Sequence, residues 1–261
     1  FTAKGRPSDN PLIVHIAARN DVYELVSHVP DFAEALMDKF WPGPLTLVLA
    51  KNPAVPNVTT ASLDTVAVRM PAHGIALRVI QAAQVPLAAP SANRFMALSP
   101  TRPEHIDPQL ANHVEILMDG GTCDVGLEST VLDCTGAEPR ILRPGTVSRA
   151  DIEAILGMPV ADSLEPDVKR SPGMYRRHYA PQTPAILVSE LGEKDAGLTF
   201  RVPQNLNQIQ MSADPRRYGA ELYDALHRLD SLGSGRIVIQ APPNTPEWEA
   251  VWDRLRKATH T

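Results

Sequence analysis

Cysteine is nearly absent from this sequence, with two residues, Cys123 and Cys134, among 261. They form no C-x-x-C pair and no zinc spacing, and so few thiols build no disulfide framework, which points to a reduced, cytoplasmic setting. Long hydrophobic runs are missing too. Stretches such as 45–50 and 185–188 fall far short of the roughly 20 residues that a membrane span needs, so no membrane helix is expected. Nor is there an excess of positive charge. Lys and Arg number 25 against 30 Asp and Glu, a formal net charge of -5, which argues against binding nucleic acid through a bulk field and leaves room only for a local basic cleft. The histidines show neither H-E-x-x-H nor H-x-x-x-H spacing, and no G-x-S-x-G elbow occurs, so zinc and serine hydrolases lack support. G-x-G-x-x-G, a P-loop and internal repeats are all absent. The first residue is Phe1, with no signal-peptide pattern behind it, and the true N-terminus is expected to lie upstream.

The composition that remains is that of a globular protein, 43% hydrophobic and 21% charged. Its length suits one large domain or two smaller ones. The 25 prolines are about twice the usual share of ~5%, a sign of many fixed turns. Short runs rich in Val, Ile and Leu at 12–16, 45–50, 66–70, 114–118 and 130–132 predict strands. Helical spacing appears at 21–26, at 32–40 through Phe32, Leu36 and Phe40, and at 75–83 through Ile75, Val79 and Ala83. Ser148 and Asp151 make a capping box before the apolar face of Ile152, Ile155 and Leu156, and that helix should close the first domain. Periodicity then vanishes from 157 to 184, where Pro159, Pro166, Pro172, Pro181 and Pro184 mark a linker. A strand at 185–188, a helix through Leu222, Leu226 and Leu229, a strand at 237–240 and a helix at 247–257 form a second, smaller unit. Gly233 and Gly235 are read as a left-handed cap and turn. Interleaved strands and helices make the chain α/β.

Lys4 and Arg6 stand beside the flexible Gly5 and the stiff Pro7. Such a pair is either a solvated surface feature or a clamp on a polyphosphate, in which an Arg fork takes two oxygens and Lys adds a point charge. Ser91 and Asn93 follow the apolar run 85–89, where open α/β sheets bind ligands, although both residues also suit a plain turn. Glycines at 120, 121 and 126 lead to Ser129 and Thr130, which is an anion cradle or a hairpin. Arg143 ends another strand. His15 lies at the end of the first, where a satisfied core or edge role is the ordinary one. The segment 171–181 crowds Tyr175, Arg176, Arg177, His178 and Tyr179 into a spacer that needs none of them, which suggests a ligand contact or a basic patch packed on a neighbour.

The order Lys4-Gly5-Arg6-Pro7, Phe40-Trp41-Pro42-Gly43-Pro44-Leu45-Thr46, Val68-Arg69-Met70-Pro71, Ala89-Pro90-Ser91-Ala92-Asn93, Glu128-Ser129-Thr130-Val131 and Leu142-Arg143-Pro144-Gly145 resembles the YrdC/Sua5 family. Residues 171–181 resemble the linker of its two-domain Sua5 type, and those after about 183 its smaller C-terminal domain. The resemblance implies a YrdC-like twisted sheet domain over 1–157, a linker or lid over 158–183 and a Rossmann-like domain over 184–261. The sequence departs from the family at its beginning, because the N-terminal strand and the Pro-Thr-x-Thr-x-Tyr-Gly-Leu segment do not precede Phe1. A chain lacking that segment is expected to be impaired.

The activity so implied is that of a nucleotidyltransferase making threonylcarbamoyl-AMP and pyrophosphate from L-threonine, bicarbonate and ATP, toward the t6A modification of tRNA. Lys4 and Arg6 would be catalytic and would bind ATP together with Ser91, Asn93, Ser129, Arg143 and Tyr179. His15, Arg69 and His178 would border threonine and its carbamate. Magnesium would arrive with ATP, no ligand for it being assignable, and no tightly bound organic cofactor is implied. A downstream tRNA threonylcarbamoyl-transfer complex would be a partner, with weak or no direct nucleic-acid binding. Two alternatives remain: a non-catalytic double-stranded RNA or tRNA module, weighed against by the acidic balance, and a carbamoyl-transfer domain of the hydrogenase-maturation type, disfavoured by the linker and C-terminal region.

Overall fold

The apolar run at 45–50 becomes β2 (Leu45–Ala50), buried along nearly its whole length, as a strand covered on both faces must be. The structure is a computed structural model that describes residues 1–162, 173, 175 and 177–260. In chain order its other strands and α-helices among the described residues are β1 (Ile13–His15), α1 (Val22–Leu25), α2 (Asp31–Phe40), α3 (Asn57–Thr60), β3 (Thr65–Arg69), α4 (Gly74–Ala83), β4 (Leu87–Ala89), α5 (Pro108–Ala111), β5 (Thr130–Asp133), β6 (Arg140–Arg143), α6 (Arg149–Leu156) and β7 (Ala161–Asp162). They are followed by β8 (Ala185–Val188), β9 (Gly197–Thr199), β10 (Gln208–Gln210), α7 (Pro215–Asp230), β11 (Ile237–Gln240) and α8 (Glu249–Ala258). The chain separates into two compact units, one of residues 7–90 and 128–174, the other of residues 1–6, 91–127 and 175–261.

In the first unit a seven-stranded twisted sheet runs β4-β1-β3-β2-β5-β6-β7 and mixes parallel with antiparallel pairs. Helices α2 and α6 pack on it, and Leu36, Leu45, Leu47, Leu132 and Ile152 are fully buried in one cluster. Each such side chain removed from water contributes roughly 1.5–3 kcal/mol. The capping box at α6 forms as the sequence predicts: Ser148 accepts from the Asp151 amide, and the Asp151 carboxylate accepts from the Ser148 amide at 3.0 Å. Gly157 ends this helix in the left-handed region at φ +64°. The expected helix at 21–26 is a 3-10 turn followed by the single turn α1. β7 lies within the stretch expected to be linker and pairs parallel with β6. Of that stretch, residues 163–172, 174 and 176 lie outside the described residues.

In the second unit four strands run β10-β9-β11-β8, all parallel, with α7 and α8 against them. Asp214 caps α7 by accepting from the Arg217 amide, and Pro215 follows where its missing N–H costs nothing. Close approach admits α7 beside Gly126, where a Cβ would meet the Ala220 carbonyl at 2.4 Å. His105 stacks on His227 of α7 at 3.9 Å, and Arg102 reaches Asp224 at 2.9 Å, so residues 99–127 are bound to that helix. Gly233 adopts the expected positive φ, whereas Gly235 does not. One expected strand is absent: residues 114–118 lie in neither sheet, and Val114, Ile116, Leu117 and Met118 are exposed. The run has the apolar density of a strand, yet both sheets complete their order without it.

The α6 cap gives a measurable consequence. Ser148→Ala should lower the urea stability of the first unit by about 1 kcal/mol, whereas Ser148→Asp, which keeps a capping oxygen, should lie within about 0.5 kcal/mol of the parent.

Candidate functional site

Lys4, Ser91 and Asn93 form a single bonded cluster in the second unit. Residues 1–6 fold into a tight turn in which the Gly5 amide donates to the Thr2 carbonyl and the Arg6 amide to the Phe1 carbonyl, each at 3.0 Å. Gly5 sits there at φ +65°, a conformation that disfavours a side chain. The turn aims the Lys4 ammonium at the carbonyls of Ser91, at 2.5 Å, and of Asn93. The Asn93 side chain braces the loop: its Oδ1 accepts from Ser91 Oγ at 2.5 Å and its Nδ2 donates to the Ala97 carbonyl at 2.8 Å. Burial, and then the charge of Arg6, lower the Lys4 pKa to about 8. Arg6 itself is buried, its guanidinium 5.9 Å from the Phe1 ring centroid.

Sequence reasoning passed over Phe95, which joins this cluster to the linker. Its amide donates to the Lys4 carbonyl at 2.9 Å, while its ring meets Tyr175 edge-on at 5.0 Å and His178 at 6.2 Å. His178 in turn lies against Tyr179 at 4.0 Å. The position of Phe95, two residues beyond Asn93, was the available signal.

In the first unit two further pairs lie at strand ends. His15 and Arg69 are register partners across the parallel β1–β3 pair. The His15 Nδ1 lies 3.3 Å from the Leu87 carbonyl of β4, which makes it the donor there. Burial, followed by the Arg69 charge, lowers its pKa to about 4 against the pull of the Leu87 and Ile13 carbonyls, so the ring is neutral at pH 7. Arg69 donates from Nε to the Gly43 carbonyl at 3.0 Å. Gly43 is required, since a Cβ would meet the Phe40 carbonyl at 2.3 Å.

Ser129 and Arg143 are the second pair. Arg143 donates to the Ser129 carbonyl from Nε at 3.1 Å and from Nη2 at 2.9 Å, and Nη2 also reaches Ser129 Oγ at 3.1 Å. Thr46 closes this group with its hydroxyl 2.7 Å from Ser129 Oγ. No role was read for Thr46 from sequence, although it ends the motif that begins at Phe40. The register shift between Val131 and Leu132 in the β5–β6 pair re-aims the strand beside Arg143, and at position 145 only glycine fits, since a Cβ there would meet the Thr130 amide nitrogen at 2.3 Å.

Among the described residues no group of three or more His, Cys, Asp or Glu could hold a metal ion. The charged side chains of these clusters are cations, which suit anionic oxygens rather than a resident Mg2+.

The His15 environment is testable by NMR. Its imidazole resonances should titrate near pH 4, and Arg69→Leu should raise the midpoint while leaving it below the free value of about 6.5, because burial is the larger cause.

Comparisons with known proteins agree along the chain. Residues 1–145 match the Sua5/YciO/YrdC family model, described as telomere recombination, and residues 147–259 match the model of the threonylcarbamoyl-AMP synthase C-terminal domain. The threonylcarbamoyl-AMP synthase of Pyrococcus abyssi is 39% identical across 99% of this chain and 83% of the relative. That of Bacillus subtilis is 37% identical across 99% and 82%. The crystal structure of P. abyssi Sua5 complexed with L-threonine superposes with a TM-score of 0.90 at 37% identity, covering 99% of this chain and 83% of that one. With both of its models matched in sequence and the fold matched along almost every residue, the chain belongs to the Sua5/YciO/YrdC family, in the two-domain Sua5 form.

Proposed function

We propose that this protein is a threonylcarbamoyl-AMP synthase, a nucleotidyltransferase that forms threonylcarbamoyl-AMP and pyrophosphate from L-threonine, bicarbonate and ATP for t6A modification of tRNA. The observation that carries the reading is the end-to-end likeness to a relative whose structure holds L-threonine. The reading as an RNA-binding module is not favoured, because the relatives are named as synthases and the net charge is -5.

In this reading the threonine amine adds to bicarbonate with loss of water, giving a carbamate. A carbamate oxygen attacks the α-phosphorus of ATP, and pyrophosphate leaves. Lys4 and Arg6 meet the charge that grows on the leaving group; held by carbonyl oxygens and a fixed turn before substrate arrives, they need little reorganisation as that charge develops. Ser91, Asn93, Ser129, Arg143 and Tyr179 hold the nucleotide. Arg69 pairs with the carboxylate or carbamate, beside a neutral His15 that adds no second charge, and His178 borders the same substrate. Magnesium enters as part of the ATP substrate, its ligands being phosphate oxygens and water.

Residues 1–157 then serve as the catalytic domain, 158–183 as linker and lid, and 184–261 as the C-terminal domain. A lid excludes water from a labile acyl-adenylate. Among the described residues no helix is long and apolar enough to cross a membrane. We place the enzyme in the cytoplasm, where a tRNA threonylcarbamoyl-transfer complex would take its product.

Threonine- and bicarbonate-dependent ATP–pyrophosphate exchange tests the reading, and its absence in the full-length protein would overturn it. Lys4→Ala and Arg6→Ala should each lower turnover by about 10²-fold or more with the fold intact by circular dichroism. If the ammonium charge is what matters, kcat/KM for ATP should fall as pH rises through about 8, the value of Lys4. Lys4→Arg should remove that limb of the profile.

A further inference from the structure

Arg254 on α8 is fully buried, at 0% exposure, on the helix face it shares with Val251, Leu255 and Ala258. Such a position ordinarily takes an aliphatic residue, and a buried guanidinium is retained only where its charge is answered. Among the described residues it is answered by the Asp253 carboxylate at 2.5 Å and by the ring of Tyr179, whose centroid lies 5.0 Å from the guanidinium carbon. Asp253 is also paired with Lys257 at 2.7 Å, so the ion pair alone gives no reason for Arg254 to lie against the linker.

The linker at that point is held in an unfavourable backbone state. Tyr179 has φ +56°, in the left-handed region that costs a residue other than glycine roughly 1–2 kcal/mol and persists only where its surroundings over-determine it. Those surroundings are visible on both sides. The His178 amide donates to the Lys257 carbonyl of α8 at 3.3 Å, and the Ala180 amide donates to the Met96 carbonyl at 3.0 Å. Met96 is itself left-handed, at φ +69°. Tyr223 of α7 lies 5.8 Å from the Tyr179 ring.

We propose that Arg254 is a positioning residue for the reaction inferred above: by stacking on Tyr179 it fixes the backbone at 178–180 and holds His178 against Phe95, the residue whose amide secures Lys4. The proposal rests on that functional reading. Every link is a contact within one compact unit, from α8 through Tyr179 and His178 to Phe95 and Lys4. It gives the C-terminal domain a part in the chemistry, that of holding the linker residues in register with the cation cluster. A Lys in place of Arg254 would keep the charge and lose the planar stack.

The test uses the full-length protein with Arg254→Met, Arg254→Lys and Tyr179→Leu. Methionine keeps the volume and leaves Asp253 with Lys257. Loss of the stack should lower kcat in ATP–pyrophosphate exchange by at least about 10-fold with KM for threonine within about twofold, because misplacement is felt in the transition state. Tyr179→Leu should lose at least as much as Arg254→Met, because it also removes a nucleotide contact, and the double variant no more than Tyr179→Leu alone, as expected of two halves of one contact. Hydrogen exchange should quicken at His178 and Ala180 in Arg254→Met, while the amides of β8 and β11 keep their rates. An active parent with unchanged kcat in Arg254→Met, additive losses in the double variant, or equal acceleration throughout β8 and β11 would each overturn the positioning role. If Arg254→Met does not fold, Arg254→Lys and Tyr179→Leu carry the same comparison. A parent without threonine-dependent exchange would overturn the functional reading, and this proposal with it.

Discussion

An ammonium drawn partly out of water has to find oxygen atoms in place of the water it loses, and around Lys4 that requirement shapes several segments at once. Two of the oxygens are main-chain carbonyls, of Ser91 and Asn93, so the loop after β4 must turn its backbone inward. The loop can do so because Asn93 ties Ser91 and Ala97 together from within. The N-terminal turn must meet it, which Gly5 permits, and Phe95 fastens the turn from the other side. An arginine two positions on adds a second buried charge and draws the lysine pKa down. The arrangement disfavours the very charge it holds, and an incoming polyanion relieves that cost.

The two sheets solve different problems. In the first unit the mixed strand order leaves charged side chains at strand ends, where Arg69 and Arg143 are restrained by carbonyls of Gly43 and Ser129. These arginines are aimed by backbone, and backbone geometry is fixed by glycines that no other residue could replace without a clash at 43 and 145. The parallel sheet of the second unit instead serves as a mount. Its buried face carries α7 and α8, and these hold residues 99–127 and the linker through His227, Asp224 and Arg254.

Much of the fold was legible because the relevant signals are local. The apolar runs that became β2, β8 and β11 are continuous and bounded by turn residues, and the α6 cap is written within four residues from Ser148 to Asp151. The strands β9 and β10 were not read, each being only three residues long, with Gly197, Gln208 and Gln210 interrupting any apolar pattern. The candidate site residues stood out as motifs, yet their bonding was not legible. Nothing near Lys4 in the sequence announces Ser91 as the oxygen that receives it, and the contact of Arg254 with Tyr179 spans a separation that no periodicity encodes. Thr46 stood in plain view within its motif and gained meaning only when β2 and β5 paired and set it beside Ser129.

The exposed run at 114–118 bears on how the chain behaves among copies of itself. A short stretch of Val, Ile, Leu and Met outside any sheet is the kind of segment that templates cross-β stacking between molecules. Glu115 interrupts it from within and Asp119 borders it. In an in-register stack those carboxylates would lie directly above one another every ~4.8 Å, so like-charge repulsion would build with each added strand. The same few residues therefore combine a propensity to self-associate with the gatekeeper charges that oppose it.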